Sequence, residues 1–144
     1  SYGAFYVSTP IQTAITTTSV AVKALGTTTL EFNKNFTNGA ASNRLLYTGL
    51  REKVFAVNAS IALTSASSNV LIDVFIYKYD DSAASGAVIA STRMRRKIGT
   101  GSDLGVFSLT GMVELDTDDY IEVWVANATS NANVTAQYIN LTIK

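Results

Sequence analysis

Hydrophobic and polar positions alternate with a period of two along most of the chain. Between Phe55 and Leu63 the odd positions carry the larger apolar side chains, and the even positions carry small or polar ones. The same alternation runs through residues 121–125 and 139–143. Because a period of two sends successive side chains to opposite faces of a strand, each segment predicts a β-strand with one buried face. No segment has a convincing helical period.

Clusters of Gly, Asn, Asp and Ser break the alternation and separate the predicted strands. Evenly spaced short strands of this kind are typical of an all-β fold, a two-sheet antiparallel jelly-roll sandwich. We predict a single domain over residues 1–144, in which 1–43 supply an N-terminal strand and a threonine-rich arm and 44–144 form the core. The predicted strands cover residues 3–8, 19–25, 28–32, 44–48, 53–64, 70–79, 87–97, 105–115, 119–127 and 134–143.

The threonine-rich segment from Thr13 to Thr29 allows two interpretations. It contains two runs of three threonines and few large side chains. It is either an arm that lies over a neighbouring subunit or an edge strand with its loops, and the sequence leaves both open.

The composition argues against several classes of function. The 144 residues include no histidine and no cysteine, and eleven basic side chains balance eleven acidic ones. The chain therefore has no imidazole base, thiolate nucleophile or thiolate-bound metal, and we expect a non-enzymatic protein without a cofactor or catalytic residues. Zero net charge argues against binding nucleic acid, and no apolar run approaches the ~20 residues of a membrane span. The charged fraction of 15% is low against the ~25% of ordinary soluble domains.

Four features in order carry a family resemblance. They are Tyr47-Thr48-Gly49 followed by Phe55-Ala56-Val57, a central strand from Val70 to Tyr79, an acidic and hydrophobic stretch from Val113 to Val125, and a last strand from Gln137 to Ile143. Together with the opening Ala4-Phe5-Tyr6-Val7, this order resembles the jelly roll shared by tumour necrosis factor (TNF) and the globular heads of complement-q proteins.

The resemblance implies a homotrimer packed on one sheet. In that family the first, central, penultimate and last strands form the inner sheet, and here those strands carry aromatic side chains opposite their aliphatic core face. The alternative is a monomer whose second face is closed by the N-terminal segment. The expected trimer interface consists of Tyr2, Tyr6, Phe75, Tyr77, Tyr120, Trp124 and Tyr138.

Resemblance to trimeric bacteriophage decoration and head-fibre proteins further implies a structural protein of the virion. We expect it on the capsid surface, with the major capsid protein or another virion protein as partner and the loops at 65–69, 80–86 and 99–103 facing outward. The alternative is a receptor-binding knob of a phage fibre that recognises a host glycan.

The densest charge is the run Arg93-Met94-Arg95-Arg96-Lys97, at the end of the predicted strand 87–97. Arg93, Arg95 and Lys97 would project from one face of that strand, and Arg96 from the other. We interpret these four as the contact with the capsid or another anionic partner. The alternative is a charged edge strand that discourages association between sheets.

Two sets of carboxylates are the remaining candidates for chemistry. One set precedes a predicted strand and suits either calcium or a solvated turn; we expect no metal. The other lies on strands and in principle suits glycoside hydrolysis, although nothing in its spacing selects a working pair. The first set is Asp116, Asp118 and Asp119, and the second is Asp73, Glu114 and Glu122.

Overall fold

The computed structural model describes residues 1–100 and 102–144 as two antiparallel sheets packed face to face. The strands are β1 (Tyr2–Pro10), β2 (Gln12–Thr13), β3 (Val22–Lys23), β4 (Gly26–Lys34), β5 (Phe36–Thr37), β6 (Leu45–Tyr47), β7 (Lys53–Ser65), β8 (Val70–Asp80), β9 (Ser85–Val88), β10 (Met94–Ile98), β11 (Gly105–Leu115), β12 (Tyr120–Asn127) and β13 (Val134–Ile143). The predicted all-β, two-sheet architecture is confirmed.

The strand order brings distant parts of the chain together. Sheet A runs β11-β7-β13-β1-β4, with β2 also paired to β13. Sheet B runs β10-β8-β12-β6-β5, with β3 paired to β12 and β9 to β8. The first and last long strands are neighbours, since Gly3 pairs with Ile143. Sheet A therefore has β11 and β4 at its edges, and β10 is an edge of sheet B.

The alternation of the sequence becomes the core between the sheets. In β7 the odd positions from Phe55 to Leu63 are buried in it, as are the inward residues of β8 and β12. Phe36, Tyr47 and Phe55 pack at one end with ring centroids 5.1–5.3 Å apart. A Cβ atom at Gly49 would overlap the Tyr47 ring, so this close approach requires glycine.

The predicted strand at 87–97 is wrong as a single element. The chain leaves β9, makes a 3₁₀ turn over Ala90–Thr92 and enters β10 only at Met94. Thr92 causes the break, because its buried hydroxyl accepts the Ile76 amide proton at 2.9 Å and donates to the Ile89 carbonyl at 2.7 Å. These bonds replace the ladder bonds of a continuous strand. The two-residue strands β2 and β5 were too short for alternation to predict.

The core is not confined to residues 44–144. Phe5, Ile15, Ala24 and Phe36 are all buried in it, and β1 and β4 belong to sheet A. The threonine-rich segment pairs within its own subunit, through β2 with β13 and through β3 with β12. Of its two interpretations, the short strands with their loops describe the structure.

The three loops expected to face one way lie at two ends of the sandwich. Asn69 donates its amide proton to the Gly99 carbonyl at 3.1 Å, which joins the loops at 65–69 and 99–103. The loop at 80–86 lies at the other end, where the Asp81 amide donates to Asp119 at 2.9 Å. Residue Gly101 of the predicted loop 99–103 is outside the described residues.

Candidate assembly face

The outward face of sheet A carries almost no charge. Its three central strands contain no charged side chain over residues 2–10, 54–65 and 134–143. The outward positions hold Ala, Ser, Thr, Asn and Tyr instead. One face of an antiparallel sheet is usually solvated and charged, so a face of this composition is suited to burial against another protein surface. We call it the assembly face.

Strand register arranges this face in rows across the sheet. One row runs from Val106 through Ala62 to Tyr138, and the next from Ser60 through Asn140 to Tyr6. In the first row the small Ala62 lies between the larger Val106 and Tyr138, and in the second the small Ser60 lies beside Asn140. The result is an open cavity of about 490 Å³, in which Glu31 is the only charged lining residue. The other side chains on its surface include Tyr6, Ser60, Ala62, Val106, Tyr138 and Asn140.

Several large apolar side chains on this face are exposed. Tyr138 is 67% exposed and Met112 66%, and Val54 and Val106 are also largely exposed. The aliphatic members of this group were missed in the sequence, because only aromatic residues were considered for the interface. The signal was present, because each of them occupies an outward position in β7 or β11.

The expectation of one continuous aromatic interface is wrong. The structure puts β1 and β13 in sheet A but β8 and β12 in sheet B, on the opposite side of the sandwich. A period of two identifies side chains that point away from the core, but it does not tell which sheet a strand joins. Of the seven residues, Tyr2, Tyr6 and Tyr138 lie on the outer face of sheet A, and Phe75, Tyr77, Tyr120 and Trp124 on that of sheet B.

The aromatic side chains of sheet B stack on one another and form an aromatic ladder, Tyr77, Tyr79, Tyr120 and Trp124. The Tyr77 and Trp124 centroids are 4.0 Å apart at an interplanar angle of 5°, and those of Tyr79 and Tyr120 are 4.7 Å apart at 12°. The Arg44 guanidinium lies 3.7 Å from the centre of the Tyr120 ring. Burial in this ladder raises the pKa of Tyr77 and Tyr120. The stacked rings come from both strands and so stabilise the pairing of β8 with β12.

Glu122 lies beneath the ladder and holds three donors. Its carboxylate is 2.6 Å from Lys23 Nζ and 3.0 Å from Arg44 Nη2, and it accepts the Trp124 indole proton at 3.0 Å. Its side chain is only 2% exposed. Asp73 is similarly engaged, by Arg95 at 2.7 and 2.9 Å. Glu114 is on the other sheet, so the three carboxylates are not brought together as a hydrolytic site.

Fewer of the basic residues at 93–97 are available for a partner than the sequence predicts. Arg93 precedes β10 rather than lying within it, and Arg95 is taken up by Asp73, whose hydrogen bond and charge raise the pKa of the guanidinium. Arg93, Arg96 and Lys97 are exposed and make no ion pair with the described residues. They lie at an edge of sheet B, which agrees with a charged edge strand.

The aspartates at 116–119 build a turn. The buried Asp119 carboxylate accepts the amide protons of Asp116 at 3.0 Å and Asp81 at 2.9 Å and lies 3.6 Å from Lys78 Nζ. Asp118 has a φ of 71°, as tight turns require. Within residues 1–100 and 102–144, no group of three or more His, Cys, Asp or Glu could hold a metal ion. Nor do these residues form a helix long and apolar enough to cross a membrane.

Comparison with known proteins identifies the fold through shape alone. No protein-family model matches the sequence, and no curated protein matches it significantly. A structure of murine APRIL at pH 5.0 superposes with a TM-score of 0.62 at 7% identity, over 99% of this chain and 98% of that one. The fold is a TNF-like jelly roll. A second murine APRIL structure, at pH 8.5, gives a TM-score of 0.56 at 8% identity over the same shares of both chains.

Proposed function

We propose that this TNF-like jelly roll is a non-enzymatic structural protein that assembles into homotrimers through the assembly face and decorates the surface of a virion. The observation that carries the proposal is the outer face of sheet A, which has almost no charge and carries exposed apolar side chains. A homotrimer packed on one sheet is also what the family resemblance of the sequence implies.

Burial of this face costs little electrostatic free energy. Removing a charge from water is expensive unless the charge is paired, and residues 2–10, 54–65 and 134–143 of the central strands have no charges to desolvate. The side chains between the tyrosines are small, so two surfaces can approach closely there. Asn58, Ser60 and Asn140 can exchange hydrogen bonds across a contact, while Tyr138 and Met112 contribute apolar area.

Attachment to a virion rests on the resemblance to phage decoration and head-fibre proteins, and on the absence of His and Cys. We assign the exposed Arg93, Arg96 and Lys97 to the contact with an acidic capsid surface, with Arg95 held in place by Asp73. The test is the copy number on purified particles. Hundreds of copies spread over the head would support decoration, a few copies at the tail would favour the receptor-binding alternative, and absence from particles would refute both.

The glycan-binding alternative gains no support from the aromatic ladder. Sugars stack on free ring faces, but Tyr120 lies between Tyr79 and Arg44, and Tyr77 and Trp124 each cover one face of the other. The receptor-binding knob therefore stays the alternative to the decoration proposal.

A lysine in the middle of the assembly face tests the self-association directly. Ser60 is exposed on the outer side of β7, so Ser60→Lys keeps the fold but places a charge where copies would meet. We expect the wild type to be trimeric by light scattering and the variant to be monomeric with a similar melting temperature. Ser67→Lys, in the exposed loop after β7, is the matched control and should remain trimeric. A trimeric Ser60→Lys protein would contradict the proposed interface.

A further inference from the structure

Phe32 is unusual both in its backbone conformation and in its exposure. Its φ of 48° is in the left-handed region, which is a strained conformation for a bulky side chain. Its ring is also 80% exposed, although it is large and apolar. The other residues with positive φ are glycines or have short side chains: Ser19, Gly26, Asn35, Gly39, Asn43, Asn69, Ala84 and Asp118.

A β-bulge creates this conformation. Tyr2 pairs with Lys34 and Ala4 with Glu31, so three steps along β4 match two steps along β1. Asn33 completes the bulge by accepting the Ala4 amide proton at 3.3 Å. Glycine would satisfy the backbone here without strain and without an exposed ring. Because the ring of Phe32 is 80% exposed in its own subunit, we look outside that subunit for a contact that compensates for the strain.

The cavity of the assembly face has the opposite property, since it is a recess with nothing in it from its own chain. Tyr6, Tyr138 and Val106 give it apolar walls, and its volume is about 490 Å³. An apolar cavity of about 150 Å³ already holds a benzene ring. Aromatic rings favour edge and offset contacts with one another, which the two tyrosines offer to an entering phenyl group.

We propose that Phe32 of one copy inserts into this cavity on the next copy, an inference that rests on the proposed self-assembly. The Phe32 ring and the cavity are different surfaces of the same chain, so the contact between two copies is head to tail. Such contacts close into a ring when the rotation between copies permits. The occupant is a second copy because the exposed apolar ring and the open apolar cavity belong to the same chain. Glu31 lines the cavity but also immediately precedes Phe32, so we assign no ion pair to this contact.

The decisive variant is Phe32→Gly, because the proposal predicts changes of opposite sign. Glycine relieves the strained φ, so the melting temperature of the dilute, unassembled domain should rise. Loss of the ring should weaken self-association at least about tenfold, measured by sedimentation. Leu50→Gly, at an exposed apolar residue away from the cavity lining, is the control and should leave self-association unchanged.

A second variant fills the cavity instead of removing the Phe32 ring. Ala62→Leu should weaken self-association as Phe32→Gly does. The double variant should associate no more weakly than either single variant, because both changes remove the same contact. Additive losses would overturn the insertion of Phe32 into this cavity.

Crosslinking locates the ring. Phe32→p-benzoylphenylalanine keeps an aromatic group at this position, and copies labelled with ¹⁵N are mixed with unlabelled ones before irradiation. We expect crosslinks between labelled and unlabelled chains at Tyr6, Val106 or Tyr138. A wild-type trimer with crosslinks elsewhere and an unaffected Phe32→Gly variant would overturn this inference but leave self-assembly standing. A wild-type protein that stays monomeric at all concentrations would refute the proposed self-assembly itself.

Discussion

A single carboxylate, Glu122, connects three separate segments. Lys23 comes from β3, Arg44 from the residue before β6, and Trp124 from β12 itself. A buried carboxylate is tolerated only when it is paired and fully hydrogen-bonded, and Glu122 has a partner on both oxygens. It therefore fixes the N-terminal segment on sheet B.

Removing that charge should destabilise the fold. We expect Glu122→Gln to lower the free energy of unfolding by about 2 kcal/mol, because Lys23 and Arg44 would be left half-buried without a counter-charge. Urea denaturation measures the change. Glu114→Gln, at an exposed strand position without an ion pair, should change it by less than about 0.5 kcal/mol. Equal effects of the two variants would show that the cluster around Glu122 adds nothing.

At the scale of elements, the aromatic ladder makes the pairing of β8 and β12 sensitive to alkali. Burial raises the pKa of Tyr77 and Tyr120 above the ordinary value of 10.0, so the folded state favours the neutral phenols. Their contribution to stability is complete below pH 10 and is lost as the pH rises through the higher pKa of the folded state.

We expect the wild type to lose more stability between about pH 9 and pH 11 than the double variant Tyr77→Phe, Tyr120→Phe, which keeps the stacked rings but lacks the two phenols whose pKa is raised. Chemical denaturation across this range gives the comparison. Tyr2→Phe, at an exposed position on sheet A, serves as the control and should follow the wild type. Parallel curves for wild type and double variant would contradict the assignment.

Element boundaries were more predictable than element partners. The strands at 105–115 and 134–143 were predicted to the residue, because alternation ends there at Gly, Asp and Asn turns. Sheet membership depends on pairings such as Gly3 with Ile143, which no local pattern contains. That is why Tyr6 and Tyr138 were correctly predicted to point outward while the ladder residues were assigned to the wrong face. Phe32 was missed because its left-handed conformation depends on a β-bulge, which no local alternation indicates.

At the scale of the whole molecule, the two sheets of the sandwich differ in the number and pairing of their charged side chains. Sheet B pairs its charges in place, as Glu122, Asp73 and Asp119 show, whereas the centre of sheet A has none. Association through sheet A should therefore depend on apolar burial and shape, and only marginally on ionic strength.

This difference can be measured. We expect the dissociation constant of the trimer to change by less than about threefold between roughly 0.05 and 0.5 M NaCl, because screening acts on charges that the assembly face lacks. Binding through Arg93, Arg96 and Lys97 to an anionic particle surface should fall steeply over the same range. Sedimentation and particle-binding assays give the two values. A trimer that dissociates in salt would place charged residues in the contact.

The pairing of β1 with β13 also constrains when sheet A can close during synthesis. During synthesis, β1 can pair with β4 early, but its other neighbour, β13, is made only after β1 to β12. Pairing over so long a sequence separation makes closure of sheet A a late event. The proposed assembly face is therefore complete only after β13 has been made, which keeps nascent chains on one messenger from associating before that point.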